Sequence, residues 1–353
     1  MKTEMQDVLQ KNILRFWLDK MVDQEHGGFY GRIDGHEHLH TDAEKGAILN
    51  ARILWAFSAA YRVLGDKTYL EAASRVKHYI IDYFIDPEYG GVYWSLDCNG
   101  KPLDTKKQFY AIGFAIYGMS EYARATGDAE ALKVAIDLYR CIEEHALDHE
   151  YNGYIEAMTR DWQPIADMRL SELDANYPKS QNTHLHIIEP YTNLYRVWKS
   201  DELKASLHNL IDIFTDRILN PETHHLDLFF DMDWKRGAGA LESYGHDIEC
   251  SWLIHEAALV LGDAEVLKKV EPIVEMVAKA SEKGLNADGS MVHEANLDTG
   301  YVDSDLHWWV QAEAVVGFFN IYQYFGDESA LQKAQHCWTY IKENLIDKEH
   351  GAW

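Results

Sequence analysis

The sequence predicts an all-α toroid, a closed ring of helix pairs with short β-hairpins in the connecting loops. Three observations predict it: a repeat of about 60 residues, one helix of each repeat that is apolar nearly all round, and a partner helix that is amphipathic. The repeat shows first as a turn motif: Asp23-Gln-Glu-His-Gly27-Gly28-Phe-Tyr, Asp86-Pro-Glu-Tyr-Gly90-Gly91-Val-Tyr and Asp148-His-Glu-Tyr-Asn-Gly153-Tyr. Weaker copies stand at Asn220-Pro-Glu-Thr-His-His and Asn286-Ala-Asp-Gly-Ser, and a strong one at Asp347-Lys-Glu-His-Gly351. A second marker, Gly-Asp, recurs at Gly65-Asp66, Gly127-Asp128, Gly262-Asp263 and Gly326-Asp327, with Ser200-Asp201 in the remaining place. Two interleaved markers at one spacing identify the repeat.

Each repeat reads in the same order. The segment before Gly-Asp (47–64, 111–125, 185–198, 248–261 and 310–325) has no polar face, so its helix is buried on all sides. The segment after it, as in 69–84 or 330–345, carries charges at the exposed helical spacing and wets one face. Gly with Asp or Ser ends one helix and starts the next. The Gly-Gly turn then leads into short alternating stretches such as 29–33 and 92–96, with Asp34-Gly35 and Asn99-Gly100 as hairpin turns. An open solenoid would need only one apolar face on its inner helices, which favours closure. With 5–21 as the first outer helix, six outer and five inner helices can be named. A six-fold ring needs a sixth inner helix after Asp347, so residues 1–353 read as a single catalytic domain truncated one inner helix short at its C-terminal end.

Composition limits the function. The net charge of −25, from 33 Lys+Arg against 58 Asp+Glu, provides no basic footprint for nucleic acid or an anionic membrane. No apolar run reaches the roughly 20 residues of a membrane helix, and the first residues form no signal peptide. The four cysteines lie far apart without a Cys-x-x-Cys pair, which argues against a disulfide scaffold and fits a reducing cytoplasm.

Registering the apolar helices on the Gly-Asp marker brings out the candidate site. Thirteen residues before each Gly stand Arg52, Phe114, Glu249 and Glu313, and His186 stands fourteen before Ser200. Charges inside apolar helices are costly unless paired or used. Four of the five have a same-face neighbour at helical spacing: Tyr110 for Phe114, Asn182 for His186, His246 for Glu249 and Trp309 for Glu313. A buried ion network of Arg52, Glu249 and Glu313 that only fixes geometry is the structural alternative. Trp252, Trp308 and Trp309 add flat aromatic walls beside carboxylates and Arg, which is what a sugar site uses. His246-x-x-Glu249 has metal-like spacing but no third ligand at a sensible distance in sequence, so no metal is expected. The His36-Glu37-His38-Leu39-His40 cluster reads as a solvated loop, His26 and His224-His225 as turn residues without partners, and His184 as second to the site or on the surface.

Several blocks resemble a known family. Ser243-Tyr-Gly-His-Asp-Ile-Glu-Cys-Ser-Trp-Leu253 and Trp308-Trp-Val-Gln-Ala-Glu-Ala-Val-Val-Gly317 resemble the signatures of cellobiose 2-epimerases, in the N-acylglucosamine 2-epimerase superfamily. Lys45-Gly-Ala-Ile-Leu-Asn-Ala-Arg-Ile-Leu-Trp55, Asn182-Thr-His-Leu-His-Ile-Ile-Glu189 and the Gly-Gly turns are similar to the same family's blocks. The resemblance implies an (α/α)6 barrel that inverts C2 of a reducing-end sugar through ring opening, proton abstraction, a cis-enediolate and reprotonation. It implies His246 as one of two catalytic histidines, Arg52 on the enediolate oxygens, and Glu249 and Glu313 orienting His246 or holding hydroxyls. Tyr110, Asn182, His186, Trp252, Trp308 and Trp309 would then line the substrate. The family's second histidine sits on the last inner helix, which leaves the activity of this chain by itself open. No cofactor is implied, the partner is a disaccharide, and the chain is expected to be a cytoplasmic monomer or homodimer. An N-acylglucosamine 2-epimerase, an aldose–ketose isomerase, an (α/α)6 glycoside hydrolase using Glu249 and Glu313, and a non-catalytic sugar-binding toroid are the alternatives.

Overall fold

The computed structural model describes residues 1–172 and 174–353. They form two compact units: Met1–Ile13, Ser180–Ile188 and Lys204–Trp353 in one, Leu14–Lys179 and Glu189–Leu203 in the other. Helices α1 (Lys2–Val8) and α2 (Leu14–Lys20) run through an intervening π-helical turn at Leu9–Ile13. Five helix pairs follow: α3 (Ala47–Leu64) with α4 (Lys67–Tyr79), α5 (Phe109–Thr126) with α6 (Ala129–His145), α7 (Gln181–Val197) with α8 (Asp201–Ile213), α9 (Tyr244–Leu261) with α10 (Ala264–Ser281), and α11 (Trp308–Phe325) with α12 (Glu328–Tyr340). The apolar member comes first in each pair. In α9 the buried residues fall on every face, whereas α12 buries only Ala330, Ala334, Cys337 and Trp338, a single stripe. No helix among the described residues is long and apolar enough to cross a membrane.

Four of the five apolar helices begin earlier than their apolar pattern does, at Phe109, Gln181, Tyr244 and Trp308. Their first turns hold the polar and aromatic candidates, which apolar periodicity does not register.

The Gly-Asp joint works as two caps back to back. Gly65, Gly127, Gly262 and Gly326 take left-handed backbone angles, φ between 69° and 77°, and close their helices through N–H bonds to Tyr61, Ala123, Ala258 and Tyr322. The next residue caps the following helix: Asp66 accepts from Thr68 N, Asp128 from Ala131 N, Asp263 from Val266 N and Asp327 from Ser329 N. At the other end, α4, α8 and α12 finish in π-helical turns at Ile80–Phe84, Phe214–Ile218 and Ile341–Leu345.

The turn motif that follows explains its own spelling. One oxygen of its leading residue accepts two backbone N–H groups, from Glu25 and His26 on Asp23, Glu88 and Tyr89 on Asp86, and Glu150 and Tyr151 on Asp148. The other oxygen receives a buried lysine from the residues just before the next apolar helix. Lys45 Nζ lies 2.7 Å from Asp23, Lys107 Nζ 3.0 Å from Asp86 and Lys179 Nζ 2.7 Å from Asp148. Each lysine also donates to a carbonyl of the turn itself, on Gly27, Gly90 and Asn152. The clamp ties the end of one repeat to the start of the next.

Within each unit, neighbouring apolar helices meet at a glycine nine residues before the joint. A Cβ on Gly118 of α5 would stand 2.8 Å from Ala51 O of α3, and one on Gly317 of α11 would stand 2.5 Å from Ile248 Cγ1 and 2.8 Å from Ile248 O of α9. A backbone carbonyl cannot give way as a side-chain tip can. Gly317→Ala therefore destabilises by about 1–3 kcal/mol through overpacking, read as a lower urea midpoint. Gly35→Ala, whose Cβ would meet nothing within 4 Å, serves as the neutral control.

Candidate functional site

The unit that contains α9 and α11 carries most of the candidates. The strand Leu241–Ser243 pairs antiparallel with Glu294–Asn296 and runs directly into α9, which fixes the direction of that helix's first turn. Gly245 lacks the Cβ that would meet Trp309 and Val310 at 2.8 Å, so the first turns of α9 and α11 lie in contact. His246 follows, half-buried. Its Nδ1 shares a 2.8 Å hydrogen bond with Ser243 Oγ, and Nε2 has no hydrogen-bond partner among the described residues. The ring stands 5.0 Å from the Trp309 ring and 6.0 Å from that of His293. Burial, with the charges of His293 and His186 adding to it, pushes its pKa down to about 3. The imidazole is therefore neutral at ordinary pH.

Glu249 and Trp252 extend the same face at three-residue steps. The Glu249 carboxylate is buried, with Oε1 3.8 Å from His186 Nε2. Trp252 Nε1 donates a 2.7 Å hydrogen bond to Glu313 Oε2. Asn182 is half-buried in the first turn of α7, and Trp308 is 53% exposed. The structure thus pairs His246 with Trp309, Glu249 with His186 and Trp252 with Glu313 along α9. It assigns the orientation of His246 to Ser243, a residue that sequence reasoning quoted only as part of a motif.

The other face of α9 is a closed polar network. His225 Nδ1 meets Asp247 Oδ2 at 2.5 Å, Leu226 N donates to Asp247 Oδ1, and Lys283 donates to His225 Nε2 and to Glu242. His225 is only 2% exposed, which corrects its reading as a partnerless turn residue. A one-residue step along the turn, invisible to composition, separates it from His224. His184 is likewise fully buried rather than on the surface, with Nδ1 2.6 Å from Ser180 O and its ring 5.3 Å from Trp234. The His36–His40 loop is a turn on Asp34, whose Oδ1 accepts from His36 N and His38 N, and His38 is largely exposed, as expected.

The second unit holds Arg52 and Tyr110. The exposed guanidinium of Arg52 lies 4.4 Å over the Phe114 ring and donates to Tyr110 Oη at 3.4 Å. Phe114, the apolar exception in the register, is thus the platform that supports the cation. Glu189 stands three residues after His186 in α7. Burial raises its pKa to about 7, against the opposing pull of the Arg52 charge and a hydrogen bond from Tyr117. Tyr117 in turn stacks on Trp55 at 5.1 Å.

Residues 28–353 match the family described as N-acylglucosamine 2-epimerase (GlcNAc 2-epimerase). The chain belongs to this family. Within it, the chain is 60% identical over 353 residues to the cellobiose 2-epimerase of Bacteroides fragilis, covering all of this chain and 90% of that one. It is 42% identical to the cellobiose 2-epimerase of Ruminococcus albus with the same coverage. The solved cellobiose 2-epimerase of Bacillus thermoamylovorans superposes with a TM-score of 0.95 at 41% identity, over all of this chain and 91% of that one. The fold is accordingly the (α/α)6 class of this family, as the repeat and the two helix types predict.

Proposed function

We propose that this protein is an isomerase that inverts C2 of the reducing-end sugar of cellobiose or a related β-1,4-linked disaccharide. The observation that carries the reading is His246, a neutral imidazole pinned through Nδ1 by Ser243 and set against Trp309. Curated relatives at 60% and 42% identity are named cellobiose 2-epimerases, which supports the substrate class.

The chemistry follows from what C2 inversion needs. Once the sugar ring opens, the C1 carbonyl acidifies the C2 proton, and a neutral base near C2 removes it. His246 Nε2 is that base, because Nδ1 is already engaged. The resulting cis-enediolate carries its charge on the two oxygens of C1 and C2. Arg52, which occupies in α3 the register that Glu249 and Glu313 occupy in α9 and α11, supplies the cation for it. An acid then returns a proton to the opposite face. Glu249, Glu313, Asn182 and His186 hold sugar hydroxyls, while Tyr110, Trp252, Trp308 and Trp309 provide ring surface for the pyranose faces. The reading takes residues 1–353 as one catalytic domain, since its candidates recur in repeat after repeat. A cytoplasmic location suits the four cysteines, none of them in a disulfide, and the proposed assembly is a monomer or homodimer.

Incubation with cellobiose in deuterated water tests the proposal. The expected product carries deuterium at C2 of the reducing-end residue, part of it converted to the mannose configuration, with the glycosidic bond intact. Release of monosaccharides would instead mark Glu249 and Glu313 as a hydrolytic pair and overturn the proposal. Turnover confined to free N-acetylglucosamine would move the substrate and keep the chemistry.

A further inference from the structure

We propose that His293, Asp303 and His307 form a binding site for a divalent transition-metal cation of the zinc class. A hairpin brings them together. Its strands Glu294–Asn296 and Tyr301–Val302 pair antiparallel, with Val302 opposite Ala295, and Asp303 N donates to Glu294 O. The tip is set by Asn296, whose Oδ1 accepts from Asp298 N and Thr299 N, and by Gly300 at φ 70°. This register places Glu294 opposite Asp303, with His293 one residue along the strand, and His307 follows four residues after Asp303, just before α11.

Asp303 Oδ2 lies 3.2 Å from His293 Nδ1 and 3.3 Å from His307 Nε2, and all three ligand atoms fall within 4.8 Å of one another. A tetrahedral ion with ligand bonds of about 2.0–2.1 Å has edges of about 3.3 Å, the spacing of the two contacts that Asp303 makes. Two imidazoles with one carboxylate form a borderline donor set that suits zinc and not calcium or magnesium, and three protein ligands leave the fourth position open. With Nδ1 as ligand, the other nitrogen of His293 keeps its proton. Nε2 is buried without a hydrogen-bond partner among the described residues, and Glu294 Oε2 lies 4.0 Å from it, a carboxylate near the place where metal-bound imidazoles use an outer acceptor. Sequence spacing hides the set because ten residues of hairpin separate the first two ligands. The alternative is that Asp303 merely accepts hydrogen bonds from two imidazoles.

Calorimetric titration distinguishes the two. Full-length protein stripped with a chelator is titrated with Zn2+, and in parallel with Co2+ followed by visible absorption. One equivalent should bind, and the Co2+ form should show the strong bands of a four-coordinate site. Asp303→Asn and His307→Ala should each weaken Zn2+ binding at least about tenfold, with circular dichroism and metal-free melting unchanged. His38→Ala, in the exposed loop, should leave it intact. Absence of a one-equivalent site in the unmutated protein, or its persistence in the folded Asp303→Asn/His307→Ala double variant, overturns the proposal.

Discussion

Replacing His246 with asparagine lowers kcat for cellobiose epimerisation by about a hundred- to ten-thousand-fold, the usual contribution of a positioned general base. Substrate affinity stays close to its original value, because asparagine keeps a polar atom toward Ser243 and leaves the Trp309 wall in place. A protein that only bound sugar would show no turnover in the parent and would keep its affinity in the variant. Proton linkage gives a second readout from the same variant. His246 takes up its proton near 6.5 when the chain is unfolded and only at about 3 in the folded protein. Between those values the unfolded state binds more protons, so stability falls as pH drops from 6.5 toward 3. The acid limb of kcat/KM should therefore lie well below 6.5 and run together with loss of structure. The asparagine variant lacks this linkage and should lose less of its urea midpoint between pH 7 and pH 5 than the parent. An acid limb centred at 6.5, with equal midpoint losses in both proteins, would remove His246 from the role of a desolvated base.

Asp86→Ala is the stability counterpart. Asp86 and Lys107 are both shielded from solvent, and the carboxylate also receives two hydrogen bonds from Arg160. Burial raises the Asp86 pKa, but the hydrogen bonds from Arg160 and Lys107 outweigh it and hold the carboxyl well below its usual range. Burial alone already lowers the pKa of Lys107. Removing the aspartate strands a desolvated ammonium, and breaking a buried pair in this way costs about 3–5 kcal/mol. Arg160 reaches solvent and rehydrates. The double variant Asp86→Ala/Lys107→Met removes the stranded charge and should regain a substantial part of the loss in denaturant midpoint. Equal midpoints for single and double variants would show that the clamp acts through packing alone.

The sequence made the repeat legible because its markers do local work: glycine for a left-handed cap, aspartate for an N-cap, and an aspartate turn that needs both oxygens. Helix type was legible for the same reason, since α9 and α12 differ in whether they have a wet face. The candidate residues emerged from one register, and the structure pairs His246 with Trp309, Trp252 with Glu313 and Glu249 with His186. What stayed hidden depends on contacts across the sequence. The clamp lysines sit 21 to 31 residues from their aspartates. Ser243 lies one residue outside α9, in a strand too short to carry a period. His225 reads as a partnerless turn residue because Asp247 and Lys283 come from other elements, and the charge of Arg52 is supported by a phenylalanine that no charge pattern would reveal.

The two-residue joint has a consequence for how this protein can change. The apolar helices carry their candidate residues toward the amino end and their joints at the carboxyl end, and in four of the five the two-residue joint leaves no spare residue to lengthen or cut. Variation is thus channelled into the hairpins that feed the amino ends, such as the one from His293 to His307. New sugar preferences can be tried there by exchanging loops while the hinges of the scaffold stay untouched. For directed evolution, those loops are where a library should concentrate its diversity.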